Sequence, residues 1–132
     1  IHRCSVIYLF DEKGNVYLQK HKKSGNRLDH SVGGHVKSGE TYLGAAKREL
    51  QEELGLSVEL QEVCAHFLSR ERSAVHMYSV FKAVASSTWK FKPNEEVEEV
   101  ILTTLDHLAY MVNNKDPNLT SGLINTAPLI LL

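Results

Sequence analysis

Apolar and polar positions along the chain fall into blocks that predict most of its elements. Cys4 to Phe10 is an apolar run rich in β-branched and aromatic residues, Asp11-Glu12-Lys13-Gly14-Asn15 is a polar turn, and Val16 to Gln19 resumes the strand pattern. The two runs predict a hairpin that opens the sheet. A polar loop, HKKSGNR, follows, and then a short extended piece from Ser31 to Val36. Leu43, Ala46, Leu50 and Leu54 are spaced as the buried stripe of a helix that Ser38 or Thr41 caps, that runs to about Leu54, and that Gly55 stops. Leu56 to Leu68 and Val75 to Val84 read as strands around the polar turn Ser69 to Ser73, with a further strand over Val97 to Thr103. Leu105 to Val112 has helical spacing, and Leu119 to Leu132 is apolar and helical in its first part, with Pro128 interrupting it. Strands, helix, strands and helix in that order predict an α/β domain whose helices pack on a mixed sheet.

The chemistry is concentrated on the first helix and the turn before it. Glu49, Glu52 and Glu53 stand at i, i+3 and i+4, so a helix projects their carboxylates from one face. Adjacent like charges repel, but hard divalent cations such as Mg²⁺ and Mn²⁺ take oxygen ligands, and a carboxylate cluster supplies them. Arg48, beside Glu49 and eight residues after Glu40, is placed to orient a carboxylate through a bidentate bond. Gly33, Gly34 and Gly39 let the backbone turn tightly and approach a ligand. RELQEE alone reads better as a solvated face of strong helix formers. The full spaced pattern from Gly34 to Leu56 does not, since its chance occurrence per start position is on the order of 10⁻⁹ from average composition.

That pattern, Gly34, Glu40, Arg48-Glu49-Leu50, Glu52-Glu53 and Gly55-Leu56, resembles the Nudix box at every position. LDHSVGGHVKSGETY and FKPNEEVEEV extend the resemblance to Nudix hydrolases related to isopentenyl diphosphate isomerase. The resemblance implies a Nudix α/β/α sandwich in one domain over residues 1–132, and hydrolysis of a diphosphate linkage with Mg²⁺ or Mn²⁺ as cofactor. By the same resemblance Glu52 and Glu53 are metal ligands, Glu49 is a third ligand or the base, the Gly33 carbonyl is a fourth donor, and Gly34, Glu40 and Arg48 support them. From Glu95, Glu96, Glu98 and Glu99 it singles out Glu96 or Glu99 as an extra ligand or general base; a charged, solvated strand edge is the other reading. The chain starts at isoleucine, and members of this branch often carry strands before that point, so a natural N-terminal segment is expected ahead of Ile1.

Composition changes the picture mainly by exclusion. Fifteen basic and sixteen acidic residues give a net charge of −1, so no global cationic field advertises a nucleic-acid polymer or a membrane, and a polyanion must be bound locally. Lys20, Lys22, Lys23 and Arg27 are the local group that suits substrate phosphates, or else simply a soluble loop. Cys4 and Cys64 have no CxxC spacing, and the seven histidines show no HxxxH or HxH spacing, which argues against a zinc site and for a reducing, cytoplasmic setting. His35 is set apart because in the resembled isomerase a histidine after Cys-Gly helps bind the catalytic metal. Trp89, Tyr78, Phe67 and Phe10 could stack on a base, although aromatic residues in strands are more often core.

Two other functions share the fold. An isomerase needs the cysteine whose place Gly33 occupies, and a non-catalytic binding module does not need the complete glutamate set. The small-molecule diphosphate expected as substrate is a nucleoside diphosphate-X, with nucleoside di- or triphosphates first. A homodimer is implied only by family analogy.

Overall fold

The computed structural model describes residues 1–71, 74–86 and 89–131. Its centre is β1 (His2–Phe10), paired in parallel with β6 (Ala74–Val84) from His2 beside His76 to Phe10 beside Val84. On its other edge β1 pairs antiparallel with two strands in turn: β4 (Val32–His35) along Cys4 to Ile7, then β2 (Val16–His21) at Leu9 and Phe10. β2 also pairs with β3 (Leu28–Asp29) and with β7 (Val97–Thr103), and β5 (Gln61–Glu71) lies outside β6. The sheet is therefore mixed. The predicted hairpin forms, held by Asp11 Oδ1, which accepts the amides of Lys13 at 2.9 Å and Asn15 at 2.8 Å. In space it lies inside the sheet rather than at an edge, because β1 goes on to pair with β4 and β6.

Burial of β1 on both faces creates two cores, since alternate residues of a strand point to opposite sides. Cys4, Val6 and Tyr8 pack with Val16, Leu18, Tyr78 and Val80 against α2 (Leu105–Asn113) and α3 (Ser121–Thr126). Ile7 and Leu9 pack with Val32, Phe81 and Ala83 against Ala46, Leu50 and Leu54 of α1 (Tyr42–Leu54). This is the expected α/β/α sandwich.

Most element boundaries agree with the sequence pattern, and the differences have local causes. Thr41, not Ser38, caps α1, accepting from the Gly44 amide at 2.9 Å. Gly55 ends α1 at φ 68°, Leu56, Val58 and Leu60 then pack on the α1 core from outside any strand, and β5 begins only at Gln61. Of the predicted turn Ser69 to Ser73, Arg72 and Ser73 lie outside the described residues, as does Leu132 at the chain end. Helix α3 stops where Pro128 enters a 3₁₀ turn over Ala127–Leu129. Among the described residues, no helix is long and apolar enough to cross a membrane.

Candidate active site

Helix α1 carries a carboxylate on its buried stripe. Glu53 follows Leu50 by three positions and shares its side of the helix, and it is only 4% exposed. Its oxygens are met by the Gln19 amide at 3.1 Å and by the backbone N–H of Gly33. Burial, reinforced by the negative charges of Glu49 and Asp29, pushes its pKa up to about 8, and the Gln19 and Gly33 hydrogen bonds offset only part of that. The three glutamates expected on one face are graded from interior to solvent: Glu53 is buried, Glu49 half-buried and Glu52 exposed.

Arg48 gathers the rest. Its Nε and Nη2 donate to the two Glu40 oxygens at 2.8 and 3.0 Å, its Nη1 to Glu49 at 2.7 Å and Glu52 at 3.3 Å, and its Nη2 also to the His35 carbonyl at 3.1 Å. One guanidinium thus ties α1 to the end of β4 and to the turn that precedes the helix. Glu40 also accepts the Lys37 amide at 2.8 Å, and these bonds, Arg48 foremost, hold its pKa down at about 2. The glycines have steric reasons. A Cβ on Gly34 would stand 2.4 Å from the Glu49 carboxyl carbon, and one on Gly33 would stand 2.1 Å from the His30 ring.

A second loop completes the cluster from the far end of α1. The carbonyls of Glu53 and Leu54 accept the amides of Asn94 and Lys92 at 3.0 and 2.8 Å, which docks the segment before β7 on the helix end. Glu96 is thereby delivered to His21, whose Nε2 lies 3.4 Å from Glu96 and 3.8 Å from Glu53. One ligand atom from each of His21, Glu53 and Glu96 falls within 4.8 Å of the others. His21 Nδ1 accepts the Lys23 amide at 3.2 Å, so its Nε2 carries the proton that faces both carboxylates.

Other sequence candidates lie elsewhere. Glu99 pairs with Lys20 at 3.8 Å across β2 and β7, and strand alternation turns Lys20 to the face opposite Gln19. Lys22, Lys23 and Arg27 are exposed around a 3₁₀ turn whose Lys22 amide donates to the Glu96 carbonyl at 2.9 Å, so this loop adjoins the site. His35 projects from β4 on the side away from Glu49, next to Cys4 and His76. Tyr78 and Phe67 stack in the α2/α3 core and Phe10 packs against it, while Trp89 is partly exposed beside Gly55 and Leu56. Gln19 and His21 are the site residues that the sequence reading missed. Their one signal is a polar side chain at alternate positions of a strand whose neighbours are core.

A half-buried group of carboxylates around the buried Glu53 fits a hard divalent cation, which would offset the charge repulsion that burial intensifies. Fold and side chains together define an α/β/α sandwich with an arginine-clamped glutamate helix. The chain belongs to the NUDIX domain family, whose model matches residues 1–122. It is 32% identical over 103 residues to an uncharacterized Nudix hydrolase of Yersinia pestis, covering 75% of this chain and 56% of the relative. Over 67 residues it is 42% identical to an isopentenyl-diphosphate Delta-isomerase of Serratia proteamaculans, covering 48% of this chain and 37% of the relative. A crystal structure from Deinococcus radiodurans has the same fold, with a TM-score of 0.78 at 24% identity over 96% of this chain and 80% of that one. The chain thus spans a little over half the length of the first of these curated relatives and little more than a third of the second.

Proposed function

We propose that this domain hydrolyses a diphosphate linkage in a nucleoside diphosphate-X substrate, with nucleoside di- or triphosphates first in line, and that it does so with Mg²⁺ or Mn²⁺. The observation that carries the reading is the Arg48 clamp, which holds Glu40, Glu49 and Glu52 beside the buried Glu53, because such costly carboxylate proximity is best accounted for by a cation. Glu49, Glu52 and Glu53, with the Gly33 carbonyl, would hold it, and when bound it supplies charge neutralisation on phosphate oxygens and a more acidic water. Gln19 and the Gly33 amide keep the Glu53 carboxylate fixed. Glu96, linked to Glu53 through His21, is the residue best placed to receive a proton from the attacking water. Lys22 and Lys23, on the loop bonded to the Glu96 backbone, suit the substrate's outer phosphates.

The isomerase alternative loses support at Gly33, which carries no thiol where that chemistry needs a cysteine, and the His30 ring fills the space that a side chain there would take. The test is release of phosphate or pyrophosphate from a panel of nucleotide and non-nucleotide diphosphates, with Mg²⁺ or Mn²⁺ and with chelator, for the wild type and Glu53→Gln. Metal-dependent release that the substitution abolishes supports hydrolysis. Nucleotide binding without turnover by the wild type would favour a binding module instead.

A further inference from the structure

Glu96 reaches the glutamate helix on a backbone that is pinned from two sides. Its amide donates to Asn94 Oδ1 at 2.9 Å, its carbonyl accepts the Lys22 amide at 2.9 Å, and the Asn94 amide is itself bonded to the Glu53 carbonyl. A register shift in the β2/β7 pair accompanies this placement. Lys20 lies opposite Glu99 but His21 lies opposite Val97, so Glu98 is an extra residue in β7, and the bulge brings Glu96 alongside Lys22. Backbone anchoring does not place the carboxylate, which ends a long, flexible side chain that is 48% exposed.

His21 supplies what the backbone leaves free. It caps the 3₁₀ turn over Lys22–Ser24: its Nδ1 accepts the Lys23 amide at 3.2 Å, and its carbonyl accepts the Ser24 hydroxyl at 2.7 Å. The ring is thereby oriented through one nitrogen, and the other presents its proton between Glu96 at 3.4 Å and the buried Glu53 at 3.8 Å.

We propose that His21 is a positioning residue whose Nε2–H holds the Glu96 carboxylate against the glutamate cluster. The kinetic consequence rests on the hydrolase reading and on Glu96 as the proton acceptor; the placement itself does not. Imidazole suits the task, because one nitrogen fixes the ring while the other offers a single directed donor.

A histidine that served only as a cap would make the same Lys23 bond. The two roles use different nitrogens, so substitutions separate them. Asparagine sets an acceptor oxygen where Nδ1 stands, which keeps the cap and loses the donor to Glu96. Glutamine sets an N–H donor close to where Nε2 stands, which keeps the bond to Glu96 and loses the cap.

The experiment compares His21→Asn and His21→Gln with the wild type on the best substrate of the diphosphate panel, at saturating Mg²⁺. His21→Asn is expected to lower kcat about tenfold with KM within about twofold, since a misplaced catalytic group loses that much or more. His21→Gln is expected to stay within about threefold of the wild type, because the donor to Glu96 is kept. In a Glu96→Gln background, His21→Asn is expected to cost nothing further. Full activity in His21→Asn with loss in His21→Gln would reduce the histidine to a cap, and losses that multiply in the double variant would disconnect it from Glu96; either result overturns the proposal. A wild type inactive on the whole panel would remove the hydrolase reading, and long-range ¹H–¹⁵N spectra of the metal-free protein would still decide the placement. They are expected to show His21 protonated on Nε2, with that resonance displaced in Glu96→Gln and unmoved in Glu99→Gln. A proton on Nδ1, or no response to Glu96→Gln, would overturn the placement.

Discussion

Gln19 and Glu53 meet in the interior between β2 and α1, where the Gln19 amide donates at 3.1 Å to the carboxylate and at 2.8 Å to the Ser31 carbonyl. Both side chains are almost fully buried, so the bond between them takes the place of one that water would otherwise provide. Leucine at position 19 removes both donors with little change in shape. The expected cost is about 1–3 kcal/mol in chemical unfolding. A second consequence has a defined direction: because the Gln19 bond lowers the Glu53 pKa, its loss moves that pKa further up in the metal-free protein. Carboxyl titration followed by NMR would detect the shift, and a downward movement would contradict the role given to Gln19.

Glu53 makes stability depend on pH in the direction opposite to a salt-bridged carboxylate. Its folded pKa of about 8 lies above its ordinary value of 4.5, so between the two the folded state holds more protons than the unfolded one. Stability of the metal-free protein is therefore expected to fall as pH rises from about 4.5 to about 8 and then to level off, by at most roughly 5 kcal/mol. Glu53→Gln, which cannot ionise, is expected to flatten this slope, and saturating Mn²⁺ to reduce it in the wild type. Thermal melts across that range, with and without metal, provide the comparison; an identical slope in the glutamine variant would assign it to another group.

Gly34 and Glu49 share one volume, since a methyl group at position 34 would lie 2.4 Å from the Glu49 carboxyl carbon. Gly34→Ala is expected to displace the Glu49 side chain and lower kcat by about tenfold to a hundredfold, since small misplacements of catalytic groups cost that much. In a Glu49→Ala background the same substitution has nothing to displace. A double-mutant cycle is then expected to show strong non-additivity, and additive effects would mean that Gly34 acts through the backbone instead.

How much of this was legible beforehand follows from the range of each interaction. The α1 helix, its Gly55 stop and the Glu40, Arg48 and Glu49 relationship are local, so spacing along a helix and its preceding turn sufficed. The hairpin and β7 were readable from runs of β-branched and aromatic residues bounded by polar turns. What spacing does not encode is register between distant strands. Gln19 and His21 reach Glu53 only because β2 lies beneath α1, and Glu96 joins them only because Lys92 and Asn94 dock on the helix end. Likewise Glu96 and Glu99 look equivalent in the sequence, yet one faces His21 and the other Lys20.

Arg48 links the carboxylates through a planar fork rather than through charge alone. Arg48→Lys keeps the charge but not the paired donors to Glu40 at 2.8 and 3.0 Å. It is therefore expected to resemble Arg48→Ala more than the wild type, with kcat down about tenfold or more and weaker Mg²⁺ or Mn²⁺ binding. Metal titrations by calorimetry alongside initial rates would measure both, and full activity in the lysine variant would leave only a charge-neutralising role.

The contrast between Glu96 and Glu99 provides the most discriminating test of the site's boundary. Glu96 lies 3.4 Å from His21, which also faces Glu53, so removing its charge alters the electrostatics at the proposed metal and water position. Glu99 makes a 3.8 Å pair with Lys20 in which the Glu99 side chain is 57% exposed, and such pairs contribute at most about 1 kcal/mol. Glu96→Gln is accordingly expected to lower kcat by about 10²-fold with a changed pH profile, in keeping with loss of a general base. Glu99→Gln is expected to leave both within about twofold, since it perturbs only a solvated pair. Rates measured across pH for the two variants decide the matter, because equal losses would show that the acidic segment acts as a diffuse negative field and not through the His21 contact.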